Sequence, residues 1–139
     1  GIAGMGKALE ICMSNLTEFS QKIKDLKAYT IEQFKKEFPG VKFNGRSEEE
    51  SSLYTVLSVL LPYHNPLIGL QLDMKGIALS QGSACSSGAA KPSMVMMTVL
   101  NEDEMENCTP LRVSFSHFTE KNEIDALITA LKEIQNAVN

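Results

Sequence analysis

The chain has 139 residues, of which 43% are hydrophobic and 22% are charged, and its formal net charge is −4. This length and composition suit one globular domain with its own core and exclude a disordered chain. The negative charge offers no basic surface to nucleic acid, and no segment approaches the roughly 18 apolar residues that span a bilayer. We therefore expect neither nucleic acid nor a membrane as a partner.

The first predicted element is one long helix. Apolar residues recur alternately every three and four positions along it, at Ile2, Met5, Leu9, Cys12, Leu16, Phe19, Ile23 and Leu26. If the helix continues to Phe38, before Pro39-Gly40, it is about 57 Å long at ~1.5 Å per residue. A domain of this size does not need such a length. The helix is therefore either a coiled-coil or hairpin element, or one whose first half packs on something absent from this chain.

Two strands and a helix follow. Residues 41–43 predict a short strand, and residues 53–61, which are apolar on both faces and rich in β-branched side chains, predict a central strand. Asn65 and Pro66 then predict the start of a helix that Gly76 ends.

The next elements are short. Residues 77–80 predict a brief buried strand, and Pro92 predicts the start of a helix that runs to Leu100. An acidic turn at residues 102–106 precedes a half-buried strand at residues 111–116, where apolar and polar side chains alternate.

The last element is an amphipathic helix with apolar residues from Ile124 to Val138, and Thr119 is placed as its N-cap. Together the elements predict an α/β (α+β) fold in which helices cover one side of a small sheet.

Residues 80–93, SQGSACSSGAAKPS, surround Cys85 with serine, alanine and glycine. These neighbours offer nothing apolar against which a buried thiol could pack, and an accessible thiol is a liability unless it is used. Cys12, on the apolar stripe of the first helix, suits a buried small hydrophobe, and Cys108 suits a structural thiol. The residues alone leave a reactive and a structural Cys85 equally open.

Other features do not complete a hydrolase or metal site. A nucleophile elbow needs glycine two residues on either side of the nucleophile, where this chain has Ser83 and Ser87. His64 and His117 fit ordinary imidazoles, and with scattered cysteines they do not provide a metal-ligand set. Because the cysteines lack a CxxC pair, we expect reduced thiols in a cytoplasmic compartment.

Arg112 is one of only two arginines, and the alternation in its strand places it on the face opposite Leu111 and Val113. A guanidinium matches a carboxylate through two parallel hydrogen bonds, so Arg112 is a candidate for binding one. The alternative is a surface arginine paired with a glutamate. That interpretation suits Arg46, which lies beside a run of glutamates.

The stretch SQGSACSSGAAKPSMVM, followed in the right order by LRVSFSHFTEKNEID, resembles the C-terminal region of cysteine desulfurases, in the pyridoxal-phosphate-dependent class V aminotransferase family. The resemblance runs from GIAGMGKALE to the last helix and implies the small C-terminal domain of a fold-type I enzyme. It implies that Cys85 attacks the sulfur of L-cysteine, leaving alanine and a persulfide for an iron–sulfur scaffold or another sulfur acceptor. It also implies that Arg112 binds the substrate carboxylate.

The same resemblance indicates what the chain lacks. The family binds pyridoxal phosphate through a lysine preceded by histidine, and this chain has no His-Lys pair. We therefore expect the cofactor to bind the full-length enzyme and not this chain, which alone should be inactive. The resemblance also implies that the full-length enzyme is a homodimer. Residues 1–20 should face an absent large domain, and residues 21–139 should form the small domain. Ser116-His117 stands where many relatives have Gly-Arg.

Two rival functions stay open. One is another activity of the same superfamily, either an aminotransferase or a selenocysteine lyase, and the loop cysteine argues against the aminotransferase. The other is a binding module without catalytic activity, which docks a partner through the long first helix.

Overall fold

The computed structural model describes residues 1–81 and 94–138. Within these ranges the chain forms the helices α1 (Ile2–Glu37), α2 (Ile68–Asp73), α3 (Met94–Val99), α4 (Glu102–Asn107) and α5 (Lys121–Val138) and the strands β1 (Lys42–Phe43), β2 (Val56–Leu61) and β3 (Thr109–Ser114). The α/β fold class predicted from the sequence is confirmed.

Among the described residues, the strands form one antiparallel sheet in the order β1-β2-β3. β2 is the central strand, as its apolar character on both faces predicted. Its register with β3 sets Leu57 opposite Val113 and Ser58 opposite Arg112. Because side chains alternate between the faces of a strand, this register divides β2 and β3 into an apolar face and a more polar face.

The apolar face of the sheet carries the core. Leu57, Val59 and Leu111 are almost completely buried there and belong to one cluster with residues of α1, α2 and α5. The other face carries Ser58, Arg112 and Ser114. The prediction that all helices cover one side is wrong in one respect: on this second face the Asn44 amide contacts both Ser58 Oγ and Met96 Sδ of α3, at 3.2 and 3.8 Å.

Helix α1 is continuous, as predicted, but only its second half packs on the sheet. Ile2, Leu9 and Leu16 are 85%, 62% and 49% exposed, whereas Ile23 and Leu26 are buried. Cys12 is exposed as well, so its interpretation as a buried small hydrophobe does not hold for this chain. Within the described ranges, no helix combines the length and apolar character needed to cross a membrane.

Three local predictions are corrected. Residues 77–80 do not form a strand and make a single bridge, between Ser80 and Arg112. The acidic stretch is helix α4, which a capping box between Asn101 and Glu104 begins. Helix α5 starts at Lys121, so Thr119 is not its N-cap; the Thr119 hydroxyl accepts instead from the Ser116 N–H at 3.0 Å.

Helix α2 begins two residues later than Asn65 and Pro66 predicted, so Asn65 is not its N-cap. The Asn65 side chain accepts a hydrogen bond from the Leu67 N–H at 3.1 Å, and the helix begins at Ile68. Gly76 ends the turn after α2 with φ of 77°, a left-handed conformation that glycine adopts without strain. The predicted helix start at Pro92 lies outside the described residues.

Candidate functional site

Arg112 is the predicted site residue that the structure describes; Cys85 lies outside the described residues. Arg112 sits in the second half of β3, and its side chain extends from the face opposite the core. Its neighbours Leu111 and Val113 are buried while Arg112 is exposed, so the strand alternation alone accounts for its orientation.

Two hydrogen bonds join Arg112 to Ser80. Its backbone N–H donates to the Ser80 carbonyl oxygen at 2.9 Å, and its Nη2 donates to Ser80 Oγ at 3.1 Å. In the part of the chain that the structure describes, no carboxylate forms an ion pair with Arg112. Arg46, by contrast, lies 3.9 Å from a Glu49 carboxylate oxygen, as expected for a surface arginine.

A guanidinium has five N–H donors in a planar fork, and the Ser80 contact uses one group of the Arg112 fork. The remaining donors can bind a carboxylate with two parallel hydrogen bonds, an arrangement stronger than a bond between neutral groups. The side chain can therefore recognise an acid that approaches this face of the sheet.

The chain that enters the serine- and glycine-rich segment is held at two successive residues. Ser80 is held on β3 by Arg112, and the Gln81 carboxamide accepts from the Gly69 N–H at 3.1 Å and donates to the Asn65 carbonyl at 3.4 Å. Sequence analysis identified neither residue as part of the site. The predicted strand at residues 77–80 was the available signal, because it led the chain directly into the cysteine segment.

The histidines lie apart from this arrangement. The His117 ring stacks on Phe19 of α1, with centroids 4.1 Å apart, and its carbonyl accepts from Lys22 Nζ at 2.8 Å. His64 is exposed. The residues that the structure describes include no group of three or more histidine, cysteine or acidic side chains that could hold a metal ion.

Of the described cysteines, Cys108 has a perturbed thiol. Burial raises the pKa of Cys108 above its usual value, and the neighbouring Glu104 adds to the effect. A raised pKa lowers the thiolate fraction at neutral pH, and the thiolate is the reactive form. Cys108 is therefore poorly suited to nucleophilic chemistry.

Lys27 does not fit the role of the lysine that binds pyridoxal phosphate. The cofactor needs a lysine whose amine is free to form a Schiff base. Lys27 is the only buried lysine in the described ranges, and burial lowers its pKa. Its Nζ donates to Ser52 Oγ at 2.8 Å and to the Leu53 carbonyl at 2.9 Å, so the amine is already committed.

Comparison with known proteins gives consistent matches. A family model described as aminotransferase class-V matches residues 1–127. The chain is 31% identical over 135 residues to cysteine desulfurase IscS of Clostridium botulinum. The aligned region covers 96% of this chain and 34% of the relative. It is also 34% identical over 134 residues to the mitosomal cysteine desulfurase of Encephalitozoon cuniculi. This aligned region covers 96% of this chain and 29% of the relative.

Solved structures share the fold. A NifS-like protein from Rickettsia africae superposes with a TM-score of 0.75 at 26% identity, covering 97% of this chain and 34% of the other. A second NifS-like protein gives a TM-score of 0.74 at 21% identity. The chain thus spans about one third of the length of the relatives that it matches.

Proposed function

Because the chain belongs to the class-V aminotransferase family, we propose that it is the C-terminal domain of a cysteine desulfurase, with Arg112 binding the carboxylate of L-cysteine and Cys85 accepting its sulfur. The curated relatives that it matches carry the name cysteine desulfurase, which supports this member of the family over others.

The observation that carries the proposal is the position of Arg112 beside the entry to the cysteine segment. The guanidinium has no acidic partner among the described residues, and it contacts Ser80, which precedes Cys85 by five positions. A chain of five residues spans at most about 18 Å, so covalent connection alone keeps the Cα of Cys85 within that distance of the Ser80 Cα. This short connection supports the proposal that Cys85 reaches a small amino acid whose carboxylate is held at Arg112.

The proposed reaction transfers one sulfur atom. The Cys85 thiolate attacks the sulfur of L-cysteine, and a sulfur–sulfur bond forms as the substrate's carbon–sulfur bond breaks. The electron pair of the broken bond goes to carbon, which takes up a proton. L-cysteine and the enzyme thiol thereby become alanine and an enzyme persulfide, with no outside oxidant or reductant.

The family implies pyridoxal phosphate in the full-length enzymes, where it supplies the activation of the substrate. Because the amine of the one buried lysine in the described ranges, Lys27, is already hydrogen-bonded, we propose that the cofactor is held by another part of the protein. The exposed apolar side chains in the first half of α1 support a contact between residues 1–20 and that part. We also propose that the full-length protein is a cytoplasmic homodimer and that it passes the sulfur to an acceptor protein.

Single-turnover assays of the full-length protein test the proposal. Cys85→Ser should abolish persulfide formation, because a hydroxyl cannot carry sulfur, while Cys12→Ser and Cys108→Ser should retain it as matched controls. Sulfide and alanine production by Cys85→Ser would make the thiol dispensable. A higher kcat/KM for selenocysteine than for cysteine would favour a selenocysteine lyase, and amino transfer would favour an aminotransferase. If the full-length protein turns over neither substrate, a binding module is favoured.

A further inference from the structure

The bond between Arg112 and Ser80 links two residues that lie 32 positions apart in the sequence. Ser80 engages Arg112 twice, through its carbonyl oxygen at 2.9 Å from the Arg112 N–H and through its hydroxyl at 3.1 Å from Nη2. The backbone contact fixes where Ser80 lies along β3, and the hydroxyl then contacts the guanidinium of the same residue.

An exposed arginine has several rotatable bonds and no preferred direction for its fork. Packing does not restrain the Arg112 side chain, because the residue is exposed, and no ion pair restrains it among the described residues. In the described part of the chain, the Ser80 hydroxyl is the one side-chain partner of the guanidinium. One hydrogen bond to Nη2 restricts the directions that the planar group can take, because its other donors are rigidly connected to that nitrogen.

The position of Ser80 is supported from its other side. The next residue, Gln81, is bonded through its carboxamide to the Gly69 N–H of α2 and to the Asn65 carbonyl, at 3.1 and 3.4 Å. The Asn65 N–H in turn donates to the Thr109 hydroxyl of β3 at 2.8 Å. Ser80 is therefore held between β3 and α2, which are themselves connected, and these contacts fix the location of its hydroxyl.

We propose that Ser80 is a positioning residue, whose hydroxyl orients the Arg112 guanidinium so that its free edge meets a substrate carboxylate. The part of this inference that concerns the substrate rests on the proposed function. The part that concerns the guanidinium rests on the described contacts alone.

A spectroscopic measurement on this chain tests the orientation. The chain has two arginines, so the Nη–Hη signals of the Arg112 guanidinium are compared with those of Arg46, which serves as an internal control. Ser80→Ala should speed solvent exchange of the Arg112 signals and leave that of the Arg46 signals unchanged, because only Arg112 loses a hydrogen bond. Ser80→Thr retains a hydroxyl and should restore slow exchange. Backbone amide spectra of the variants identify any loss of fold.

Kinetics of the full-length protein, loaded with its cofactor, test the consequence. Ser80→Ala should raise KM for L-cysteine about two- to tenfold with a smaller change in kcat, and Ser80→Thr should recover most of the loss. The dissociation constant of L-alanine, a carboxylate probe that lacks the reacting sulfur, should rise by a similar factor.

The outcomes separate the two proposals. If Arg112→Lys raises KM while Ser80→Ala changes neither KM nor the Arg112 exchange rate, the positioning role is wrong and the proposed function stands. If Arg112→Lys leaves KM unchanged as well, Arg112 does not bind the substrate and both are wrong. A fall in kcat alone, with no change in KM or L-alanine affinity, also contradicts the positioning role.

Discussion

Arg112 combines exposure with a guanidinium that has no acidic partner among the described residues. Replacing Arg112 with lysine in the full-length protein should raise KM for L-cysteine about ten- to hundredfold, because an ammonium cannot make two parallel bonds to a carboxylate. Arg46→Lys is the matched control, since Arg46 is exposed and lies near Glu49. Steady-state kinetics check the prediction, and equal KM values for both variants would contradict it.

The described cysteines should differ in reactivity. Cys12 is exposed, while Cys108 is half-buried with a pKa raised by burial. At pH 7 to 8 the Cys108 thiol is therefore less ionised than an ordinary thiol. It is also less accessible than Cys12, so iodoacetamide should modify Cys12 first. A time course read by mass spectrometry on each peptide measures both rates. Faster modification of Cys108 would show that its surroundings are more open than described.

At the scale of elements, an ion pair joins the two long helices. Lys132 of α5 donates to the Glu37 carboxylate at the end of α1, and this hydrogen bond lowers the pKa of Glu37 below its ordinary value of 4.5. A carboxylate whose pKa is lower in the folded state contributes stability above its unfolded pKa. That contribution is lost as the pH falls through the folded value.

Lys132→Met should therefore lower the free energy of unfolding at pH 7 and have a vanishing effect below the pKa of the paired Glu37. Lys7→Met is the control, because Lys7 pairs with Glu10 on the exposed half of α1 and links no second element. Urea unfolding of each variant between pH 7 and pH 3 measures the difference. A destabilisation by Lys132→Met that is constant across this range would rule out the ion pair as its cause.

At the scale of the whole molecule, helix α1 has one half that packs on the rest of the chain and one half that is exposed. Leu26 is 4% exposed and Leu9 is 62% exposed, so the same substitution on one helix should have two different effects. In this chain, Leu26→Ala should cost about 2–5 kcal/mol of stability, and Leu9→Ala less than about 0.5 kcal/mol. Denaturant unfolding measures both values.

The same pair tests whether the exposed half is covered in the full-length protein. If residues 1–20 pack against another part of it, Leu9→Ala should destabilise that protein by about 1 kcal/mol or more, since a buried leucine is then truncated. If Leu9→Ala destabilises the full-length protein no more than it destabilises this chain, the exposed half does not have the proposed partner.

Some features could be predicted because they are encoded locally. The repeat from Ile2 to Leu26 determines α1, and the alternation around Arg112 determines which face of β3 carries it. The N-terminus of α4 was also readable, because Asn101 and Glu104 have capping-box spacing, but the acidic composition suggested a turn. Local periodicity predicts such elements because each residue's face depends only on its position in a helix or strand.

Tertiary structure decided the rest. Which strands pair, which half of α1 is buried, and the contact of Ser80 with Arg112 all depend on residues far apart in the chain. In the sequence, Ser80 ends a predicted strand and Gln81 looks like an ordinary loop residue. They acquire a role because β3 and α2 meet on either side of them. The sequence alone thus determined the long first helix, the central strand, the strand of Arg112 and the last helix, and it identified Cys85 and Arg112 as candidate residues. Packing decided how Arg112 is held, because a contact between distant residues exists only once the core has brought their elements together.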